Sequence, residues 1–338
     1  MAKVVRQIIS NKYFTVQADT LVEGSIVPFD CYIKRFGDYV IIIEAGTLIT
    51  KSLYEKISLN QTIYLLRDDA EKVKEYYLLN NARAEENGFE IPKYDAVASV
   101  LGLRERLTPV GSFEERLSMV YMSVAGLIES IFKTSDENLP LGALRVCASN
   151  IAEYINTDRT VMPIFLKIIP KEYSTCYHST NVAFFSAILG KAIDLTKEEI
   201  VDLALAGLLH DIGKIRIDSK ILLKPGVLDP DEYEIMKNHC DYGFIILKNN
   251  GIENQKILNG VRYHHEKLDR TGYPQRLYGK LIPKFARIIG LCDVFDALTT
   301  KRTFRENYTS FEALLLIKRE MNAQFDEQFT DAFIRLLR

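Results

Sequence analysis

A change of periodicity part-way along the chain limits its fold more than any other feature. Up to about residue 80, β-branched and aromatic residues come in short runs at 13–17, 25–29, 31–35, 39–44 and 62–66, punctuated by Gly24, Gly37 and Gly46. Runs of this length between turn formers predict strands, with one short helix at 51–57 among them. Residues 68–95 are charged and helix-prone until Pro92 stops them. From Ser112 onward the apolar spacing is helical. Ser112 with Glu115, and Thr196 with Glu199, have the spacing of capping boxes and open helices over 112–132 and 196–210. Further helices are predicted at 141–155, 163–169, 178–193, 231–248 with a break near His239, 252–265, 283–300, 310–321 and 327–338. The fold class is therefore α+β: a small β-rich domain over 1–80, a helical connector over 81–140 and an all-α domain over 141–338.

Composition excludes several classes. Lys plus Arg number 43 against 45 Asp plus Glu, for a net charge of −2. A binder of nucleic-acid polymer needs a basic face to release counterions, and this balance does not favour one. No apolar run approaches the roughly 18 residues of a membrane span. The first ten residues lack the basic-then-apolar order of a secretory signal. The five cysteines (31, 147, 176, 240 and 292) are odd in number and scattered, which suits reduced thiols. A cytoplasmic setting without membrane attachment is expected.

The histidines mark the half that carries chemistry. There are five, at 178, 210, 239, 264 and 265, and none in the first 177 residues. His210 and Asp211 end an apolar helix, with Gly213 expected to supply the stop. Neighbours on a helix diverge by about 100°, so an adjacent imidazole and carboxylate reach one point only near such an end. Asp293 lies in the apolar stretch 288–298, where an unpaired carboxylate costs several kcal/mol. A His and Asp set of this kind suits one or two divalent ions.

These residues resemble a known family. His178, His210-Asp211 and Asp293 match the H…HD…D set of the HD metal-dependent phosphohydrolases. His239, His264-His265 and Gly272-Tyr273-Pro274 match the HD-GYP subgroup, phosphodiesterases of the bacterial second messenger cyclic di-GMP. The resemblance covers about residues 140–338. It implies an HD-type helical catalytic domain that hydrolyses cyclic di-GMP to linear pGpG, with GMP a further product to test. A non-catalytic cyclic di-GMP receptor that signals through protein partners is the alternative. By resemblance, His178, His210, Asp211 and Asp293 hold one ion and His239, His264 and His265 a second, with Asp211 bridging. Mixed nitrogen and oxygen ligands favour iron or manganese, with nickel a further candidate.

The remaining site residues are assigned by position in the motifs. Asp211 and Lys214 are the expected catalytic groups. Lys214, Tyr273, Asp296, Arg302 and Arg305 are the expected substrate contacts, the two arginines lying three apart so that both guanidiniums could clamp phosphate and guanine edges. Between Arg262 and Arg287 seven basic residues face two acidic ones, a local excess that suits a dianionic ligand. Three departures from the family pattern stand out. Arg270 replaces a usual Gly, Thr303-Phe304 replaces Pro-Tyr, and Ser174 stands where three-metal members carry Glu. Two ions per chain are therefore expected. The β-rich domain reads as regulatory or dimerising, and 112–132 as a helix that could pair two subunits in a homodimer.

Overall fold

The computed structural model describes residues 13–17, 21, 24–35, 38–57, 62–66, 69, 72–73, 76, 96–101, 112–134, 136–157, 161–170, 174–301 and 307–337. The chain is α+β and divides into two compact units, 1–94 and 95–338. In the first, β1 (Tyr13–Gln17), β6 (Thr62–Leu66), β3 (Cys31–Arg35) and β4 (Asp38–Ile43) form an antiparallel sheet in the order β1-β6-β3-β4. β2 (Ile26–Val27) pairs with β5 (Thr47–Leu48) in a separate two-stranded ladder, and α1 (Lys51–Ile57) lies between β5 and β6 in sequence. Val27, Phe29, Cys31, Ile43, Ile49, Ile63 and Leu65 build its core. Alternation along β3 and β6 sends every second side chain inward, which is why these strands pair in this register. Of the predicted helix-prone stretch 68–95, residues 77–95 lie outside the described residues.

The second unit is helical. Its described helices are α2 (Ala96–Leu101), α3 (Phe113–Phe132), α4 (Leu141–Thr157), α5 (Val161–Ile168), α6 (Thr175–Ala192), α7 (Lys197–Leu209), α8 (Ser219–Leu222), α9 (Pro230–Lys237), α10 (His239–Asn249), α11 (Gln255–Tyr263), α12 (Lys284–Thr299), α13 (Ser310–Glu320) and α14 (Glu327–Arg335). Helix α6 is the centre of the unit: residues 178–190 are buried on every face, and α3, α4, α7, α12 and α14 pack around it. Both predicted capping boxes form, at Ser112–Glu115 and Thr196–Glu199. The break near His239 separates α9 from α10. Helix α3, read from the sequence as part of a connector, packs Leu117, Val120, Tyr121, Val124, Leu127 and Ile128 into this same core. Among the described residues, no helix is long and apolar enough to cross a membrane.

Candidate metal centre

Two helices each end on a pair of adjacent polar side chains. Helix α7 closes at Leu209 with His210 as its cap, and Asp211 then leaves the helical path at φ −97°, ψ 4° before a 3-10 turn, Ile212–Arg216. Helix α11 closes at Tyr263 with His264 as its cap and His265 next. His239 begins α10, His178 sits in the first turns of α6, and Asp293 lies midway along α12. All seven side chains converge. His178, His210 and Asp211 place ligand atoms within 4.8 Å of one another, and so do His239, His264 and His265.

Gly213 does not end α7 through a left-handed backbone, as the sequence suggested. It lies inside the 3-10 turn, and a Cβ there would stand 1.9 Å from the His239 carbonyl oxygen and 2.5 Å from the Gly243 nitrogen. The missing side chain lets the start of α10 press against the His-Asp turn, and that approach delivers His239 to the centre. Gly272 works alike. Its Cβ would fall 2.4 Å from both the His265 oxygen and the Lys267 nitrogen, so the loop carrying Tyr273 can fold over the histidine pair.

Hydrogen bonds fix the ring orientations. Nδ1 of His210, His239 and His264 lies 2.8, 2.7 and 2.7 Å from the carbonyl oxygens of Gly207, Met236 and Val261, each three residues earlier. A carbonyl only accepts, so the proton stays on Nδ1 and the Nε2 lone pair points inward. His178 follows the same logic with a carboxylate: its Nδ1 donates to Asp296 Oδ2 at 2.7 Å. Inside the centre, His178 Nε2 is 3.2 Å from Asp293 Oδ1 and 3.7 Å from Asp211 Oδ2. Asp211 Oδ2 is 3.4 Å from His210 Nε2, while its Oδ1 is 3.5 Å from His239 Nε2. One carboxylate thus faces both groups of ligand atoms.

The charges favour a cation here. His239 and His264 Nε2 approach to 3.4 Å. With both rings protonated on Nδ1, two lone pairs face each other and repel unless something positive lies between them. Burial pushes the His239, His264 and His265 imidazoles down, the last two strongly, and neighbouring histidines add to it. A proton is therefore a poor filler. Burial alone pushes the Asp211 carboxyl up, but the Lys214 ammonium at 2.6 Å outweighs it and holds it well below the usual carboxylate range. His210 Nε2 and Asp211 Oδ1 are buried without a hydrogen-bond partner, which costs roughly 1–3 kcal/mol each if nothing else binds them. The donor set fits divalent metal.

The expected substrate contacts divide. Lys214 sits at the rim, bonded to Asp211. Tyr273 stacks on the His265 ring at 4.7 Å and meets Tyr233 edge-on at 6.3 Å, so one of its faces is spent on a metal-ligand candidate. Asp296 is not a substrate contact, contrary to the expectation from the motif. It is 0% exposed, and both oxygens are engaged, by His178 on one side and by Asn181 and Thr300 on the other. No substrate can reach it; its geometry orients His178. Arg302 and Arg305, with Thr303-Phe304, lie outside the described residues. Ser174 caps α6 by accepting from the Tyr177 backbone N–H at 3.2 Å. Glu266 was missed as a site residue. It is 5% exposed and accepts from the Gln275 and Leu277 backbone N–H groups at 2.6 and 2.8 Å, clamping the Gly-Tyr-Pro loop. Its signal was an acid directly after the paired histidines.

Residues 163–329 match the family model described as HD domain. Residues 163–329 are an HD domain. It is of the HD-GYP type, with Gly272-Tyr273-Pro274 closing over the paired histidines. The chain is 38% identical over 158 residues to the cyclic di-GMP phosphodiesterase response regulator RpfG of Xanthomonas campestris pv. campestris, covering 46% of this chain and 41% of that protein. It is 34% identical over 170 residues to a cyclic di-GMP phosphodiesterase of Thermotoga maritima (49% and 45%). It is 37% identical over 161 residues to the 3'3'-cGAMP-specific phosphodiesterase 2 of Vibrio cholerae (47% and 30%). The chain thus spans less than half the length of these curated relatives. The HDG"Y"P protein Bd1817 of Bdellovibrio bacteriovorus shares the fold, with a TM-score of 0.58 over 96% of this chain and 99% of that one at 16% identity.

Proposed function

We propose that the HD domain hydrolyses cyclic di-GMP to linear pGpG in a reaction that requires two divalent ions. The observation that carries this reading is the Asp211 carboxylate, whose two oxygens face two separate clusters of histidine nitrogens. His178, His210, Asp211 and Asp293 would hold one ion and His239, His264 and His265 the other. A pair of ions so held supplies charge neutralisation for the phosphoryl oxygens and makes a water acidic enough to attack at neutral pH. The chain's own residues do the rest. Hydrogen bonds at Nδ1 hold four imidazole rings in one tautomer with their lone pairs inward, so little reorganisation accompanies binding. Lys214 keeps a positive charge at the rim, where a phosphate oxygen can take the place that Asp211 holds. Arg302 and Arg305 are assigned to the second phosphate and a guanine edge.

Iron or manganese best suits this nitrogen-rich set, with nickel a further candidate. Ser174 brings no charge to offset a third dication, so two ions per chain is the expected count. A cytoplasmic protein, dimeric through its β-rich unit or the 81–140 helices, completes the reading. The alternative of a receptor without turnover has against it that every metal-ligand candidate is present and converged. The relatives' names support cyclic di-GMP and also bring in 3'3'-cGAMP as a competing substrate. The test is to incubate metal-loaded protein with each dinucleotide and resolve the products by chromatography. Linear pGpG formed faster than the cGAMP product is expected. No turnover of either with two ions bound would leave the receptor reading.

A further inference from the structure

The hydrogen-bond chain behind His178 continues past Asp296. The second Asp296 oxygen accepts from Asn181 Nδ2 at 2.8 Å, and Asn181 Oδ1 accepts from the Tyr121 hydroxyl at 2.8 Å. Every member is sealed from solvent: His178 is 3% exposed, Asp296 0%, Asn181 1% and Tyr121 1%. The donor order is forced. A phenol facing an amide oxygen donates to it, which turns the amide's N–H₂ toward Asp296, and the carboxylate is then held with its other oxygen against His178 Nδ1. The chain joins α3, α6 and α12, and it starts outside the residues matched to the HD domain.

Packing alone does not call for that hydroxyl. The Tyr121 ring lies among Phe165, Phe184 and Tyr177, with centroids 5.9, 5.9 and 6.3 Å away. A phenylalanine would fill the same space without burying an O–H, and burying one is unfavourable unless it is bonded. Burial pushes the phenol well up, so it stays a neutral donor. The bond it makes is the first link toward a metal-ligand candidate.

We propose that Tyr121 is a positioning residue for the metal centre, acting through Asn181 and Asp296 on the ring of His178. This rests on the reading of His178 as a metal ligand. Without the hydroxyl the Asn181 amide is free to turn, Asp296 loses a fixed donor, and the His178 ring is held less firmly. Partners of ligating histidines typically change metal affinity by about 10–100-fold, and a residue two bonds further back should act at the lower end of that range.

The test is manganese titration of metal-stripped protein by calorimetry, which needs no substrate. His178→Ala identifies the binding step that this ligand serves. Tyr121→Phe should weaken that step by about tenfold, leave the other step within twofold, and keep the circular-dichroism spectrum. Phe165→Leu perturbs the same aromatic cluster without touching the chain and should lower the melting temperature while sparing manganese affinity. Should Tyr121→Phe fail to fold, Asn181→Asp, which keeps size but removes the donor to Asp296, carries the same measurement. Manganese affinity within twofold of the parent in the folded variant, or equal losses in Phe165→Leu, would overturn the proposal. If His178→Ala alters neither step, the metal-ligand reading itself fails, and the two failures stay distinct.

Discussion

Asp211 is the residue on which the centre turns. One of its oxygens faces His210 and His178, the other His239, and Lys214 closes on it at 2.6 Å. Asp211→Asn keeps size and removes charge. Turnover of cyclic di-GMP should fall by at least about a hundredfold, with a loss of bound metal seen by elemental analysis and a near-normal melting temperature. Wild-type turnover at full metal content would refute the bridging role. The seven ligand candidates were legible because His is rare, five in the chain, and the motif spacing picks Asp211 and Asp293 out from the other carboxylates. Their supports were less legible. Asp293 and Asp296 are three apart on α12, and spacing alone cannot say which carboxylate meets solvent and which turns to a histidine's far nitrogen. Asn181 carried a weak signal, a polar residue three positions after His178 on a helix buried all round.

At the scale of elements, close backbone approaches build the site, and these are what a sequence shows least. Helix ends were readable from capping boxes and from the break at His239, whereas Gly213 was read as a stop when it is a contact. Gly213→Ala would force the 3-10 turn off α10, since the nearest backbone atom lies 1.9 Å from the new Cβ. The cost should be about 1–3 kcal/mol or more, at roughly 2–4 °C per kcal/mol for a unit of this size. Manganese affinity should fall with it because His239 rides on α10; a melting temperature within 1 °C of the parent would show that the turn yields freely. Arg270 poses the opposite case. It holds φ +70° where the family pattern has Gly, at about 1 kcal/mol of strain. Its guanidinium lies 3.8 Å from the Tyr278 ring centre, which returns about 0.5–1 kcal/mol. Arg270→Gly should therefore be nearly neutral in thermal melts, while Arg270→Ala, which keeps the strain and loses the ring contact, should destabilise by about 0.5–1 kcal/mol. Equal effects of the two would remove the compensation.

For the molecule as a whole, the buried histidine cluster ties stability to pH. His239 and His264 are 1% and 0% exposed, and burial, with neighbouring rings, holds their imidazoles below the ordinary value near 6.5. His265 is shifted the same way but is 23% exposed at its side chain and contributes less. In the unfolded chain all three take up protons as pH falls through about 6.5, while in the metal-free fold they stay neutral. The unfolded state then binds more protons, so stability rises with pH, is complete above about 6.5 and is lost as pH falls toward the folded values. At pH 5 each fully buried ring costs at most about 2 kcal/mol by this route. Glu266, pushed up by burial, works in the opposite sense just above its ordinary value near 4.5; the other shifted groups lie outside that window. Asp211 and Asp293 are held down, so their stabilisation fades only below about pH 4. Lys267, pushed down to about 8 by burial against the pull of Asp293 and Asp269, acts only above that value. Metal-stripped protein should therefore melt at progressively lower temperature between pH 7 and 5. Manganese should restore stability at pH 7, by about 2.7 kcal/mol at a hundred times its dissociation constant, and restore less at pH 5, where protons compete for the same nitrogens. A melting temperature independent of pH in the stripped protein would mean that the histidine cluster is not held neutral, and the inward-facing lone pairs on which the metal centre depends would go with it.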